Sequence, residues 1–239
     1  MNAGDVLSDS YTAVSLDGTA SQTVSITING LNNAAIITGE TTGSMTEDDA
    51  GTIGALTVSD VDNGQAAFVP QTNVAGSYST FSIDAAGNWS YVRTADLQSM
   101  SVGESAFDSF NVVSLDGTAS QLIAITITGE NDAPMISGVT SDHNTVDDAS
   151  ASGLVSIGGS FRDIDTSDSR TATVNWGDGT VESLTVDELA ETLAGSHQCL
   201  SGGIFTITVT VDDGNGGTAS STTTAVVEGV TNTFCRRHE

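Results

Sequence analysis

"IFTITVTV", residues 204–211, places Phe205, Ile207, Val209 and Val211 on one face of an extended chain and Thr206, Thr208 and Thr210 on the other. Such period-two alternation, with threonine facing outward, is the pattern of an antiparallel strand with one buried and one wetted face. Residues 122–128, "LIAITIT", alternate in the same way with Ile123, Ile125 and Ile127 inward. The pattern predicts further strands at 53–59, 78–83, 88–93, 106–113, 170–176, 180–186 and 221–227. Between them lie Asp, Asn and Gly turns such as "DNG" at 62–64, "AAGN" at 85–88 and "DGNGG" at 213–217,. Only "DELAETL", residues 187–193, predicts helix, for about two turns,. Short strands joined by such turns define an all-β chain of sandwiches.

The sandwiches are arranged in tandem. "SLDGTASQ" occurs at 15–22 and again at 114–121, 99 residues on. At the same offset Asp9 and Ser10 match Asp108 and Ser109, Tyr11 aligns with Phe110, and Ile26, Thr27, Ile28 and Gly30 match Ile125, Thr126, Ile127 and Gly129. A period of this length belongs to a domain that recurs, not to a solenoid turn. Residues 1–34 therefore read as the closing part of one repeat and 35–134 as a complete copy. Residues 135–229 read as a sandwich of another kind, and 230–239 as a tail. The chain is expected to be a piece of something longer. The core face of its first part (Tyr11, Val24, Ile26, Ile28) is expected to lack the rest of its sandwich.

Charge narrows the function. Thirty-one Asp and Glu face five Arg and no Lys, for a net charge of −26. Nucleic acid and anionic membrane surfaces both require a basic patch and are excluded as partners. No apolar run reaches the ~20 residues of a membrane span, so no membrane insertion is expected. Mutual repulsion among so many carboxylates makes bound cations physically reasonable, although acidic surfaces also simply keep proteins dispersed. Cys199 and Cys235 stand in no metal-ligand spacing and predict neither a disulfide framework nor a zinc site,. Cys199 is expected to be a small buried hydrophobe.

The complete repeat resembles the VCBS repeat family, found in tandem in very large bacterial surface and secreted proteins. The likeness rests on "TEDDAGTIGALTVSDVD" at 46–62, "YSTFSIDAAGNWSYV" at 78–92, "VGESAFDSFNVVSLDGTASQ" at 102–121 and the closing "ITITGENDAP". Residues 135–229 resemble a PKD-type domain through "GSFRDID" at 159–165, "ATVNWGDGT" at 172–180 and "GSHQCLSGGIFTITVTVDDGNGG" at 195–217. Where that family usually has an aromatic residue two positions after the histidine, this chain has Cys199. The two resemblances imply tandem immunoglobulin-like or cadherin-like β-sandwiches, strung as beads.

Acidic residues gather at the ends of these beads. Around the second junction lie Glu130, Asn131 and Asp132 in the linker, with Glu47 and Glu104 on one side and Asp163, Asp165 and Asp212 on the other. Ca²⁺ takes six to eight oxygens in flexible geometry, and a D-x-D pair in a loop can turn two carboxylates on one ion. The likeness to cadherin-type arrays implies Ca²⁺ here, locking consecutive beads. The alternative is solvated turn aspartates, common at strand ends. The first junction repeats the pattern with Asp60, Asp62 and Asp116, but its linker offers Leu31, Asn32 and Asn33. Two carboxylates are missing, so weak or absent binding is expected there.

No G-x-S-x-G, H-E-x-x-H or P-loop spacing occurs, and His143, His197 and His238 are scattered, so no enzyme is expected,. Taken together, the resemblances imply a non-catalytic extender of a large secreted or cell-surface bacterial adhesin. Its partners would be neighbouring repeats of the same polypeptide, with surface glycans or other cells as further candidates. The rival is a carbohydrate-binding or spacer region of a secreted hydrolase. It would need aromatic side chains exposed in a row, and Trp89 is the candidate, set against its expected place in a core,.

Overall fold

The computed structural model describes residues 1–229; the expected tail at 230–239, with Cys235, lies outside them. The described chain is β-structure throughout, apart from one 3₁₀ turn at Val146–Asp148. It divides into two compact units, one of Met1–Asp96 with Ser105–Thr128 and one of Leu97–Glu104 with Gly129 onward.

The first unit begins with a two-stranded hairpin of β1 (Val6–Val14) and β2 (Ser21–Asn29). Its sandwich follows. One sheet runs β4 (Thr42–Thr46), β10 (Ser120–Thr128), β9 (Ser105–Val113). The other runs β3 (Ile36–Gly39), β5 (Gly51–Ser59), β8 (Asn88–Arg93), β7 (Ser79–Ile83), β6 (Gln71–Ala75). Strict alternation in β9 buries Ala106, Asp108, Phe110 and Val112, and β10 buries Ile123, Ile125 and Ile127. Against them the other sheet brings Phe81, Ile83, Trp89 and Tyr91, with Phe81 stacked on Phe110 at 4.6 Å. Trp89 is buried and fits because its β5 neighbour is Gly54, where a Cβ would fall 2.2 Å from the indole. A buried indole offers no stacking platform for a sugar.

The octapeptide repeated in the sequence forms the same closing turn twice. Ser15 and Thr19 hydroxyls donate to Asp17, and Ser114 and Thr118 hydroxyls donate to Asp116. The hairpins share one register too, Tyr11 opposite Val24 and Phe110 opposite Ile123. Their surroundings differ. Tyr11, Ile26 and Ile28 are 57%, 46% and 48% exposed, whereas Phe110, Ile125 and Ile127 are 5%, 0% and 0%. A lone two-stranded hairpin is marginal in water. Amides of residues 7–28 are therefore expected to exchange with solvent far faster than their equivalents at 106–127, by hydrogen-exchange mass spectrometry. Equal protection would show that β1 and β2 are held by a partner.

The second unit is another sandwich. One sheet runs β11 (Met135–Ser141), β12 (Leu154–Arg162), β16 (Thr192–Gln198), β15 (Thr185–Asp187). The facing sheet runs β14 (Val181–Ser183), β13 (Thr171–Asn175), β17 (Gly203–Asp212), β18 (Thr218–Val227). Ile207, Val209 and Val211 of β17 enter the core with Val155, Phe161, Val174, Trp176 and Leu193, as the opening alternation predicts. Residues 180–186 are not one strand. Leu184 turns into the core and its amide bonds Ala172 O, so β14 and β15 join opposite sheets.

The helix expected at 187–193 is absent. Asp187 Oδ1 accepts the Leu189 and Ala190 amides, Glu191 takes a left-handed φ of 52°, and residues 188–191 become a hairpin loop between β15 and β16. Two turns of helix seldom survive their nucleation cost, and the capping aspartate serves the tighter turn instead.

Candidate metal centre

Where β12 ends, the chain enters the loop "DIDTSD", residues 163–168. Asp163 Oδ1 accepts the Asp165 amide at 3.2 Å, an aspartate turn that folds the loop over itself,. Asp165 is fully buried; its Oδ2 accepts the Asp132 amide at 2.8 Å and so ties down the segment after Thr128. Asp168 comes in from the far end of the loop, held by Asn215 Nδ2 at 2.8 Å. From beyond β17, buried Asp213 accepts the Asn215 and Gly217 amides and Asn131 Nδ2. Carboxylate oxygens of Asp163, Asp168 and Asp213 lie within 4.8 Å of one another. Opposite ligands of a Ca²⁺ ion are about 5 Å apart, so one ion can touch all three.

The hydrogen bonding is incomplete in a particular way. Asn131 Oδ1, Asp165 Oδ1 and Asp168 Oδ2 are buried with no hydrogen-bond partner. Leaving such oxygens bare is costly, and a bound cation is one way to satisfy them. Burial pushes the Asp165 carboxyl above its usual range, and the charges of Asp168, Asp132 and Asp163 add to the effect against the Asp132 amide. At Asp213 burial acts in the same direction, but the hydrogen bonds from Asn131, Asn215 and Gly217 outweigh it and hold the group low. One cation is built in. Arg170 pairs with Asp163 at 3.2 Å and donates to the carbonyls of Asp168 and Asp165.

Of the residues the sequence suggests, Asn131, Asp132, Asp163 and Asp165 meet here. Glu104 lies beside them, its carboxylate accepting the Ser167 hydroxyl at 2.7 Å and the Ser101 amide at 3.3 Å. Glu130 is exposed. Glu47 is buried in the first unit just past β4, with its amide bonded to Thr128 O. Asp212 is not in the centre: it pairs within the β17–β18 ladder, faces solvent, and caps the Gly214 amide. Its place is taken by Asp213, and Asp168 joins unforeseen. The signal for Asp213 was legible. Inward positions 205, 207, 209 and 211 continue to 213,.

The first unit repeats part of this hydrogen bonding. Asp60 Oδ1 accepts the Asp62 amide, Asp62 Oδ2 accepts the Asn33 amide at 2.6 Å, and Asn32 Nδ2 reaches Asp116 at 3.0 Å. Gln65 and Asn33 stand where the second centre has Asp168 and Asp132. Here too buried oxygens lack hydrogen bonds: Asp60 Oδ2, Asp62 Oδ1, Gln65 Oε1 and Asn2 Oδ1. The Met1 ammonium lies 3.6 Å from Asp62 Oδ1. The Asp116 carboxyl is held well below its usual range by the Ser114 and Thr118 hydroxyls.

Residues 32–129 match the sequence profile of the bacterial cadherin-like domain, and the sandwich they form is cadherin-like. No curated protein sequence matches the chain. Similar solved structures include the protocadherin gamma B7 extracellular cadherin domains 1–4, at 16% identity over 94% of this chain, with a TM-score of 0.46. A second, protocadherin gammaB7 EC3–6, described as a cis-dimer, is 17% identical over 84% of this chain, TM-score 0.48. Mouse cadherin-23 EC22–24 is 16% identical over 93% of this chain and 73% of its own length, TM-score 0.43. The chain spans 57% and 49% of the first two. Among the described residues no helix is long and apolar enough to cross a membrane.

Proposed function

We propose that this chain is a non-catalytic extender segment of a large secreted or cell-surface bacterial adhesin. In this reading residues 35–134 are a VCBS-like sandwich and 135–229 a PKD-like one, joined in tandem and stiffened by Ca²⁺. The observation that carries it is the set of buried, unsatisfied oxygens on Asn131, Asp165 and Asp168, in a centre that also binds the 129–132 segment. An ion there would make a flexible connection a fixed one. The function of the segment is then distance and stiffness, with neighbouring repeats as its partners. The buried Trp89 and Tyr91 speak against a sugar-binding accessory role.

Small-angle scattering tests the reading. A compact globule of this length has a radius of gyration of about 18 Å. An extender in millimolar Ca²⁺ should lie well above that and broaden its distance distribution when chelator is added, while a glycan array shows no binding. A compact particle in both conditions would overturn it.

A further inference from the structure

At the opposite end of the second sandwich, the β13–β14 turn "WGDGT" presents Asp178 between two glycines with positive φ, Gly177 and Gly179. Its Oδ1 is fixed by the Thr180 amide at 2.9 Å, which aims Oδ2 at His197 Nε2, 2.8 Å away. His197 and Cys199 are two positions apart at the end of β16, and alternation puts both side chains on the inner face,. The imidazole stacks on Trp176 at 5.1 Å, and Cys199 is free and 2% exposed. One donor atom from each of Asp178, His197 and Cys199 lies within 4.8 Å of the others.

We propose that these three side chains form a transition-metal site of the zinc class, with one carboxylate, one imidazole and one thiolate, and water in the fourth position. Ligands around tetrahedral zinc, bonded at about 2.0–2.3 Å, stand roughly 3.5 Å apart, so Asp178 and His197 need to part slightly and no pair needs to close in by much more than about an ångström. The supporting shell is already present. His197 Nδ1 faces Glu182 Oε2 at 3.5 Å, and Glu182 is itself fixed by Trp176 Nε1 at 2.8 Å. A carboxylate on the far ring nitrogen sets the tautomer a metal ligand requires. In the bound state Nε2 faces the ion, the imidazole proton sits on Nδ1 beside Glu182, and the thiol proton of Cys199 has been released to solvent. The sulfur and nitrogen donors suit a borderline-soft ion, whereas the all-oxygen centre at the other end suits a hard one.

The test uses the full chain carrying Cys235→Ser, which leaves Cys199 as the single thiol, and Co²⁺ as the spectroscopic substitute for Zn²⁺. One equivalent should give a thiolate-to-cobalt charge-transfer band with tetrahedral visible bands, erased by Zn²⁺ and untouched by excess Ca²⁺. Cys199→Ser should abolish the charge-transfer band, and Glu182→Gln should weaken binding about tenfold. Circular dichroism and Trp176 emission verify that each variant is folded. No band in the folded Cys235→Ser chain overturns the proposal, and so does a band that survives Cys199→Ser.

Discussion

Asp108→Ala is expected to destabilise the sandwich of the first unit by about 3–5 kcal/mol, whereas Asp9→Ala, the same residue in the other copy of the hairpin, should change nothing measurable. Asp108 sits on the buried face of β9, where its carboxylate accepts the Ser77 and Tyr78 amides and the Ser79 and Tyr91 hydroxyls. Truncation strands all four donors at once, and buried donors without partners cost about 1–3 kcal/mol each before water reaches the outer ones. Asp9 is exposed, and among the described residues its carboxylate accepts just the Ser10 amide. Thermal melts followed through Trp89 should show the difference as a fall on the order of 20 °C for Asp108→Ala. Equal melts would show that the network contributes no stability.

The same carboxylate gives the unit an acid limit. Burial favours the neutral form of Asp108, but its four hydrogen bonds outweigh burial and hold its pKa below the usual value. The folded pKa therefore lies below the unfolded one. The stability this group contributes is complete above the ordinary carboxylate range and is lost as pH falls through the folded value. Tyr91, pushed up to about 12 by its burial with Asp108 beside it, stays a phenol and keeps donating.

Millimolar Ca²⁺ is expected to raise the melting temperature of the second unit, with a smaller rise in the first. A ligand at a hundred times its Kd, binding only the folded state, adds about 2.7 kcal/mol. For a domain near 100 residues that is on the order of 10–20 °C. The chain has two tryptophans, Trp89 buried in the first unit and Trp176 in the second, so the combined emission should show a transition from each unit, assigned by the variants below. Chelator should reverse the shift. Asp163→Asn with Asp165→Asn should remove most of the Trp176 shift, whereas Asp17→Asn, on the exposed hairpin turn, should leave it. The inequality between the units follows from charge: Asp132 and Asp168 in the second centre are replaced by Asn33 and Gln65 in the first,. Superimposable melts with Ca²⁺ and with chelator would remove the proposed role of the ion.

Much of the fold was legible because a half-buried strand writes its faces into the sequence. β10 and β17 alternate without interruption, and both lie where the pattern puts them. Other strands carry no such pattern. β12 contains Gly158 and Gly159, β16 mixes Gly195 with Ser196 and His197, and pairing with their neighbours in the sheet, β11, each other and β15, makes them strands. The helix at 187–193 failed for the converse reason, since good helical residues were too few to outlast one turn.

The candidate centres take in the D-x-D loops and linkers singled out in the sequence, where local turn chemistry brings neighbours together. Asp168 and Gln65 escaped because they enter from the far side of the loop. The grouping of Asp178 with His197 and Cys199 joins a turn to a distant strand end, and spacing along the chain does not report that.

The pairing of β4 with β10 has a mechanical consequence. The strand near the start of the first sandwich and the strand that ends it run parallel, from Thr42 opposite Ala124 to Thr46 opposite Thr128. Tension applied at the two ends of that sandwich therefore pulls the strands past one another along their length. The inter-strand bonds share the load and must yield together, whereas an antiparallel hairpin pulled from its open end gives way one rung at a time. A domain joined in this way resists being stretched from its two ends.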